Sequence, residues 1–327
     1  SNFLSYISKK QVKFSFRILV YLAVMHQFAA LRPYTRKFFY IQYVNPSNNL
    51  ATIGIDDAYF VILSMICLTW IRASLMDYFF TPLARLGGIK PRKALVRFAE
   101  QGWSLTYYTI SWIYGFYLYQ HSAYYMDIKQ VWLNWPHHEM TILFKAYYLI
   151  QLGCWLQQIF VLNIEERRKD HFQMFSHHVV TCLLTIGSYY YYYTRVGHLI
   201  LVLMDIVDIL LSLAKMMKYL GFSTICDFLF GFFVVTWIIS RHVLYNYVVY
   251  SAIEHAPKLI EANHCQYDEM GVLIRCFSLN THWVFISLLI ILQIITLVWL
   301  IMIINVIYKI LMGGSAEDTR SDEEDND

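Results

Sequence analysis

The chain has 327 residues, of which 58% are hydrophobic, 18% aromatic and only 15% charged. Soluble domains carry about a quarter charged residues, so a water-soluble globular enzyme is excluded and no nucleic-acid partner is expected. What remains is an all-α integral membrane protein, a single membrane domain with short tails.

Apolar stretches of roughly 20 residues, the length that spans a hydrocarbon core as a helix, recur eight times in chain order. They lie near Phe14–Leu31, Ala58–Phe80, Leu95–Tyr119, Met140–Leu162, Phe172–Tyr193, His198–Leu220, Thr224–Tyr250 and Trp283–Leu311. Arg17, His26 and Gln27 interrupt the first. The third carries Glu100, Gln101 and a train of Ser, Thr and Tyr, a pattern that is costly against lipid and therefore predicts a face turned to a cavity or to another helix.

Basic residues set the expected orientation. One side collects Lys9, Lys10, Lys13, Arg85, Lys90, Arg92, Lys93, Arg97, Arg167, Arg168, Lys169, Lys215 and Lys218. The other has Arg32, Arg36, Lys37, Lys129, Arg195, Lys258 and Arg275. The richer side is expected to be cytosolic, and an even number of spans then puts both termini there. The run Tyr189–Tyr193 and the pair Trp132 and Trp135 read as interfacial anchors. Six cysteines lack CxxC spacing; Cys67, Cys154, Cys182 and Cys226 read as core residues, whereas Cys265 and Cys276 share a polar loop where a disulfide is a candidate. From Ser315 onward seven acidic residues face Arg320 alone, a net of −6, so the rest of the chain carries +9 of the overall +3. Ser315, Thr319 and Ser321 each precede an acidic residue by three positions, which makes them phosphorylation candidates in an acidic, disordered tail.

The residues able to carry chemistry fall between Ile164 and Lys218. His177 and His178 stand early in one apolar span, and Asp205 and Asp208 stand inside the next. Ionisable groups at membrane depth normally face the bundle interior and mark function. Asp205 and Asp208 are three residues apart, hence on one broad helix face, and Ser212 and Lys215 continue that stripe. His177 and His178 diverge by about 100° around their helix, so one of them at most points straight into a shared cavity. A hairpin of the two spans would bring a histidine near a carboxylate, an arrangement that suits a general base or a nucleophile for acyl transfer. The plain structural alternative is hydrogen bonding between helices.

The stretch Arg167-Arg168-Lys169-Asp170, the His177-His178 pair, Arg195-Val196-Gly197, Asp205-x-x-Asp208 and Ala214-Lys215-Met216 together resemble the Lag motif of ceramide synthases. The motif spans about 164–218 and lies inside what resembles a TLC domain over 93–311. Residues 1–92 would form an N-terminal region with two spans and a basic loop, and 312–327 the acidic tail. The lack of a homeobox-like insertion and the extra N-terminal span look more like the fungal branch.

The resemblance implies a six-helix TLC bundle enclosing the active site, within about eight transmembrane helices of the endoplasmic reticulum. It implies N-acylation of a sphingoid base by a fatty acyl-CoA co-substrate, with no cofactor and no metal. His177, His178, Asp205 and Asp208 fall on the family's catalytic positions, and a two-step route through acyl-His177 is one form of the reaction. Arg168, Lys169, Lys215, Arg92 and Lys93 are candidates for the CoA phosphates by charge. The resemblance further implies membrane lipids as surroundings, a small single-span accessory subunit, and dimerisation with itself or with a related catalytic subunit.

Three competitors come from other classes. A non-catalytic TLC protein that binds lipid or associates with a translocon has little use for four ionisable groups at depth. A di-iron hydroxylase needs HxxxH and HxxHH clusters, which His137-His138 and His177-His178 do not form. A proton-coupled transporter would be expected to show a pair of broken helices.

Overall fold

The computed structural model describes residues 2–164, 170–260, 265–267 and 271–312. Arg168 and Lys169, and the tail residues Ser315, Thr319 and Ser321, lie outside the described residues.

Long helices overlie the eight apolar stretches: α1 (Asn2–Gln27), α3 (Asp57–Leu86), α4 (Arg92–Gln120), α5 (Ile142–Ile164), α6 (His171–Tyr190), α7 (Thr194–Tyr219), α8 (Ser223–Glu254) and α9 (Leu279–Leu311). The short α2 (Arg32–Phe39) follows α1. By length and composition, α3, α7, α8 and α9 can each cross a membrane, and the protein is a multi-pass membrane protein. Apolar side chains such as Ile110, Phe228, Val284 and Ile301 point outward and are more than half exposed. Such a surface suits a surround of lipid rather than water.

Successive helices run antiparallel, so the chain has two recognisable ends. At the basic end the turn from α3 into α4 packs on the last residues of α7. There Ala84, Ile89 and Leu95 form one cluster with Met216 and Leu220, which gathers Arg85, Lys90, Arg92, Lys93, Lys215 and Lys218 at that end. At the opposite, aromatic end Trp132, Trp135, Tyr193, Ala252, Ala256, Phe277 and Ile286 form the largest buried cluster. Two small antiparallel ribbons lie in the loops of this end. β1 (Leu50–Ala51) pairs with β2 (Met140–Thr141), and β3 (Cys265–Tyr267) pairs with β4 (Leu273–Cys276). The sulfurs of Cys265 and Cys276 are bonded across the second ribbon.

The interfacial-anchor expectation fails here. Trp132, Trp135, Tyr192 and Tyr193 are all buried; only Tyr190 in that run is largely exposed. The indoles have partners inside the protein: Trp132 Nε1 donates to Ser251 Oγ at 2.8 Å and Trp135 Nε1 to the Tyr191 carbonyl at 3.3 Å. Loop 121–141 folds back over the helix ends, and aromatic rings with a polar handle are suited to such a plug as much as to a lipid interface.

Polar residues explain how the helices meet. Helix α4, rich in Ser, Thr and Tyr, packs along α7 and spends its hydroxyls there and on α5. Gly197 at the start of α7 lets that helix approach α5, since a Cβ there would collide with the Tyr148 hydroxyl. At the aromatic end Lys145 is fully buried and pairs with Asp57 at 2.7 Å. Its ammonium also donates to the carbonyls of Gln42 and Thr52, and Tyr189 Oη donates to Asp57 at 2.7 Å. This pair ties α3, α5 and α6 together.

Candidate active site

A mostly apolar cavity with about 810 Å³ of empty space, counted out to its mouth, runs through the bundle. His177, Asp208 and Arg241 lie in its wall toward the basic end, and Trp132, Ala252 and His282 toward the aromatic end. Sequence reasoning places the site between α6 and α7; the cavity is in fact walled by α5, α6, α7, α8 and α9, with one residue of the 121–141 loop.

Helix α6 offers the cavity a stripe at helical spacing, His177, Thr181, Thr185 and Ser188, each three or four residues on from the last. His178, turned by about 100°, is absent from the wall and buried against Trp155. Trp155 stands edge-on to both imidazoles, with ring centroids 5.6 Å from His177 and 5.4 Å from His178. Trp299 approaches His177 from α9 at 5.2 Å.

The expected hydrogen bond between a histidine and a carboxylate is not made. Among the described residues Nδ1 of His177 and Nδ1 of His178 are buried without a partner, while both carboxylates bond elsewhere. Asp205, 1% exposed, accepts from Ser111 Oγ at 2.7 Å and from Gln151 Nε2 at 3.1 Å. Gln151 accepts in turn from Tyr107 Oη at 2.9 Å, so Asp205 turns toward α4 and α5. Asp208 pairs with Arg241 Nη2 of α8 at 3.3 Å. Three residues advance a helix by about 300°, so the two carboxylates sit some 60° apart, enough for each to meet a different neighbour.

Arg241 escaped the sequence reading. It lies in a π-helical stretch of α8, Ile238–Leu244, of the kind that often marks functional sites by re-aiming a side chain. Its guanidinium is buried, donates also to the Met204 carbonyl at 3.2 Å and lies 4.3 Å from the Trp237 ring centroid. The available signal was a charge deep inside an apolar span, which is expensive unless used. Of the other candidates, Arg92 and Lys93 are exposed and Lys215 is half-buried at the basic end. Among the described residues no group of three or more His, Cys, Asp or Glu side chains could hold a metal ion.

Residues 97–305 match the TLC domain family, TRAM_LAG1_CLN8. The chain belongs to the TLC-domain family. The sphingosine N-acyltransferase lag1 of Schizosaccharomyces pombe is 43% identical over 298 residues, covering 91% of this chain and 75% of that protein. The sphingosine N-acyltransferase-like protein ALT7 of Alternaria alternata is 38% identical, with 100% of this chain and 78% of that protein covered. The ceramide synthase FUM18 of Gibberella moniliformis is also 38% identical, over 90% of this chain and 74% of its own length. All of α5 through α8, and most of α4 and α9, fall inside residues 97–305, so every cavity-lining helix belongs to the TLC domain.

Proposed function

We propose that this TLC-domain protein is a ceramide synthase, transferring a fatty acyl group from acyl-CoA to the amine of a sphingoid base. The observation that carries this reading is the apolar cavity with His177 in its wall, in a chain whose relatives are named for that reaction. An acyl chain fits the apolar length of the cavity toward Trp132 and His282, with its carbonyl beside His177. The polyanionic CoA then stays at the basic end, where Arg85, Arg92, Lys93, Lys215 and Lys218 gather, along with Arg168 and Lys169 in sequence.

The chemistry asks for a nitrogen with a free lone pair and for charge control around it. Among the described residues His177 has no hydrogen bond to hold it in one tautomer. In the two-step route it takes the acyl group as an acyl-imidazole, which the amine then attacks; in the one-step route it removes the proton from the amine. The ion pair of Asp208 with Arg241 at the cavity wall serves as a positioning device. Asp205 acts one layer back, fixing α7 against α4 and α5 through Ser111 and Gln151.

The same reading takes all eight long helices as membrane spans, six of them (α4–α9) forming the TLC bundle. The basic end and both termini face the cytosol, in the endoplasmic reticulum. The fungal resemblance adds a single-span accessory subunit and dimerisation with itself or a related chain, and the acidic tail adds phosphorylation at Ser315, Thr319 or Ser321.

The test is acyl transfer from a long-chain acyl-CoA to dihydrosphingosine, wild type beside His177→Ala and Asp205→Ala. Ceramide is expected from the wild type and from neither variant. Substantial product from His177→Ala would sink the assignment of the reacting nitrogen; none from folded wild type, even with an accessory subunit added, would sink the activity.

A further inference from the structure

Buried polar groups in native proteins nearly always find partners, and a buried indole N–H is no exception. In this chain several exceptions stand around His177, with others elsewhere, such as Ser74 Oγ, His137 Nδ1 and His282 Nδ1 among the described residues. Trp132 and Trp135 donate at the aromatic end, whereas Trp155, Trp237 and Trp299 have buried Nε1 atoms with no partner among the described residues. Of these three, Trp155 alone lines the cavity.

The hydroxyl stripe of α6 shows the same selectivity. Thr185 Oγ1 donates to the Thr181 carbonyl at 2.7 Å. Ser188 Oγ donates to the Thr185 carbonyl at 3.1 Å and also meets the Tyr148 hydroxyl. Thr181 Oγ1 has no partner among the described residues, and it is the hydroxyl one turn from His177 on the same face. Two unspent donors from two helices, Trp155 Nε1–H and Thr181 Oγ–H, thus belong to cavity-lining residues beside one imidazole.

We propose that Trp155 and Thr181 are further catalytic residues, the donors that hold the acyl carbonyl oxygen as it becomes an oxyanion. The proposal rests on the acyl-transfer reading above and adds residues to it. In either route a neutral nitrogen, imidazole or amine, attacks the thioester carbon and forms a C–N bond while the carbonyl π pair moves onto oxygen. When that pair returns, the C–S bond breaks and the sulfur leaves with the proton given up by the attacking group, from the amine nitrogen itself or, for imidazole, from the ring nitrogen that did not attack. Charge develops on oxygen only between these two events. Fixed neutral donors in a water-excluded wall stabilise that charge without having to reorganise. An indole N–H is donor-only, so Trp155 Nε1, unpartnered among the described residues, is available to an acceptor that arrives with the substrate.

The experiment measures kcat and KM for acyl-CoA in the full chain, for wild type, Trp155→Phe, Thr181→Val and Thr181→Ser, with thermal stability in detergent recorded for each. Trp155→Phe keeps an apolar ring and removes the N–H; Thr181→Val is nearly isosteric and removes the hydroxyl. Both are expected to lower kcat by roughly 10- to 100-fold with KM changed by less than about threefold, as for an interaction made only in the transition state. Thr181→Ser is expected to retain most of the wild-type kcat. Wild-type kcat in both donor-less variants, or a raised KM with kcat intact, overturns the donor pair while leaving the acyl-transfer reading standing. No turnover by the wild type overturns that reading and this one with it. Should Trp155→Phe not accumulate as folded protein, the contrast of Thr181→Val with Thr181→Ser decides.

Discussion

The two ends of the cavity pair their buried polar groups to different degrees: Nδ1 of His282 lacks a partner at the aromatic end among the described residues, but such groups are denser around His177. At the aromatic end Lys145 is neutralised by Asp57 and capped by two carbonyls. His198 is held on both nitrogens, by Tyr124 Oη at 2.7 Å and the Gly115 carbonyl at 3.0 Å, and Trp132 bonds Ser251. Toward the basic end Nδ1 of His177 and of His178, Nε1 of Trp155 and of Trp299, Oγ1 of Thr181 and Nε of Arg241 all lack partners among the described residues. A polar group buried without a hydrogen bond costs about 1–3 kcal/mol, so the unpaired end is held in place by packing paired elsewhere. On the proposed function, the aromatic end is the scaffold and the end near His177 is where stability is given up for chemistry.

The contrast can be broken first at Lys145. Lys145→Met leaves the Asp57 carboxylate buried without its cation and is expected to cost about 3–5 kcal/mol, measured as lost thermal stability in detergent, with turnover of the folded fraction unchanged. Lys145→Met combined with Asp57→Leu should recover a large part of that loss. Arg241→Gln is the counterpart at the other end. Asp208 retains 31% of its side-chain exposure and can hydrate once its partner is gone, so the stability loss should be smaller than for Lys145→Met, while kcat falls on the order of tenfold or more. Equal stability losses in the two variants would erase the distinction between scaffold and site.

A smaller effect is expected at His137, in the loop over the aromatic end. Burial, reinforced by the nearby Arg195 cation, pushes its imidazole down to about 4 from an ordinary value near 6.5. The folded chain therefore keeps His137 neutral where the unfolded chain would protonate it. The stability this contributes is intact above about pH 6.5 and is lost progressively as pH falls toward 4. His137→Gln should flatten that part of the stability profile and leave the neutral-pH value nearly unchanged; an unaltered slope between pH 4 and 6.5 would show that His137 does not drive it.

How much of this was legible beforehand varied with the kind of interaction. Apolar run lengths gave the long helices, with most boundaries moved by a few residues but the first by more: α1 runs Asn2–Gln27 rather than from Phe14 to Leu31, and Met140 and Thr141 enter a strand before α5 begins. The Lag-type block from Arg167 to Met216 led to the right family. The carboxylate stripe on α7 was correctly read as polar at depth, yet its partners were misassigned. The reading paired α7 with α6 because they are sequence neighbours, whereas Asp205 reaches α4 and α5 and Asp208 reaches α8. The aromatic residues of the loops were misread because a Trp at a membrane surface and a Trp in a buried plug look alike in composition.

The sequence alone determined that this chain lives in a membrane, that it is helical, and which histidines and aspartates stand at depth, because hydrophobic length and the cost of intramembrane charge are local properties of a segment. Only the tertiary structure decided what those groups face. Arg241 reaches Asp208 through a π-helical turn, Lys145 meets Asp57 across 88 positions of sequence, and Trp155 of α5 and Trp299 of α9 close on His177 of α6. Such contacts depend on the rotation and neighbour order of packed helices, and apolar faces that suit lipid equally well in any order leave no record of that order along the chain.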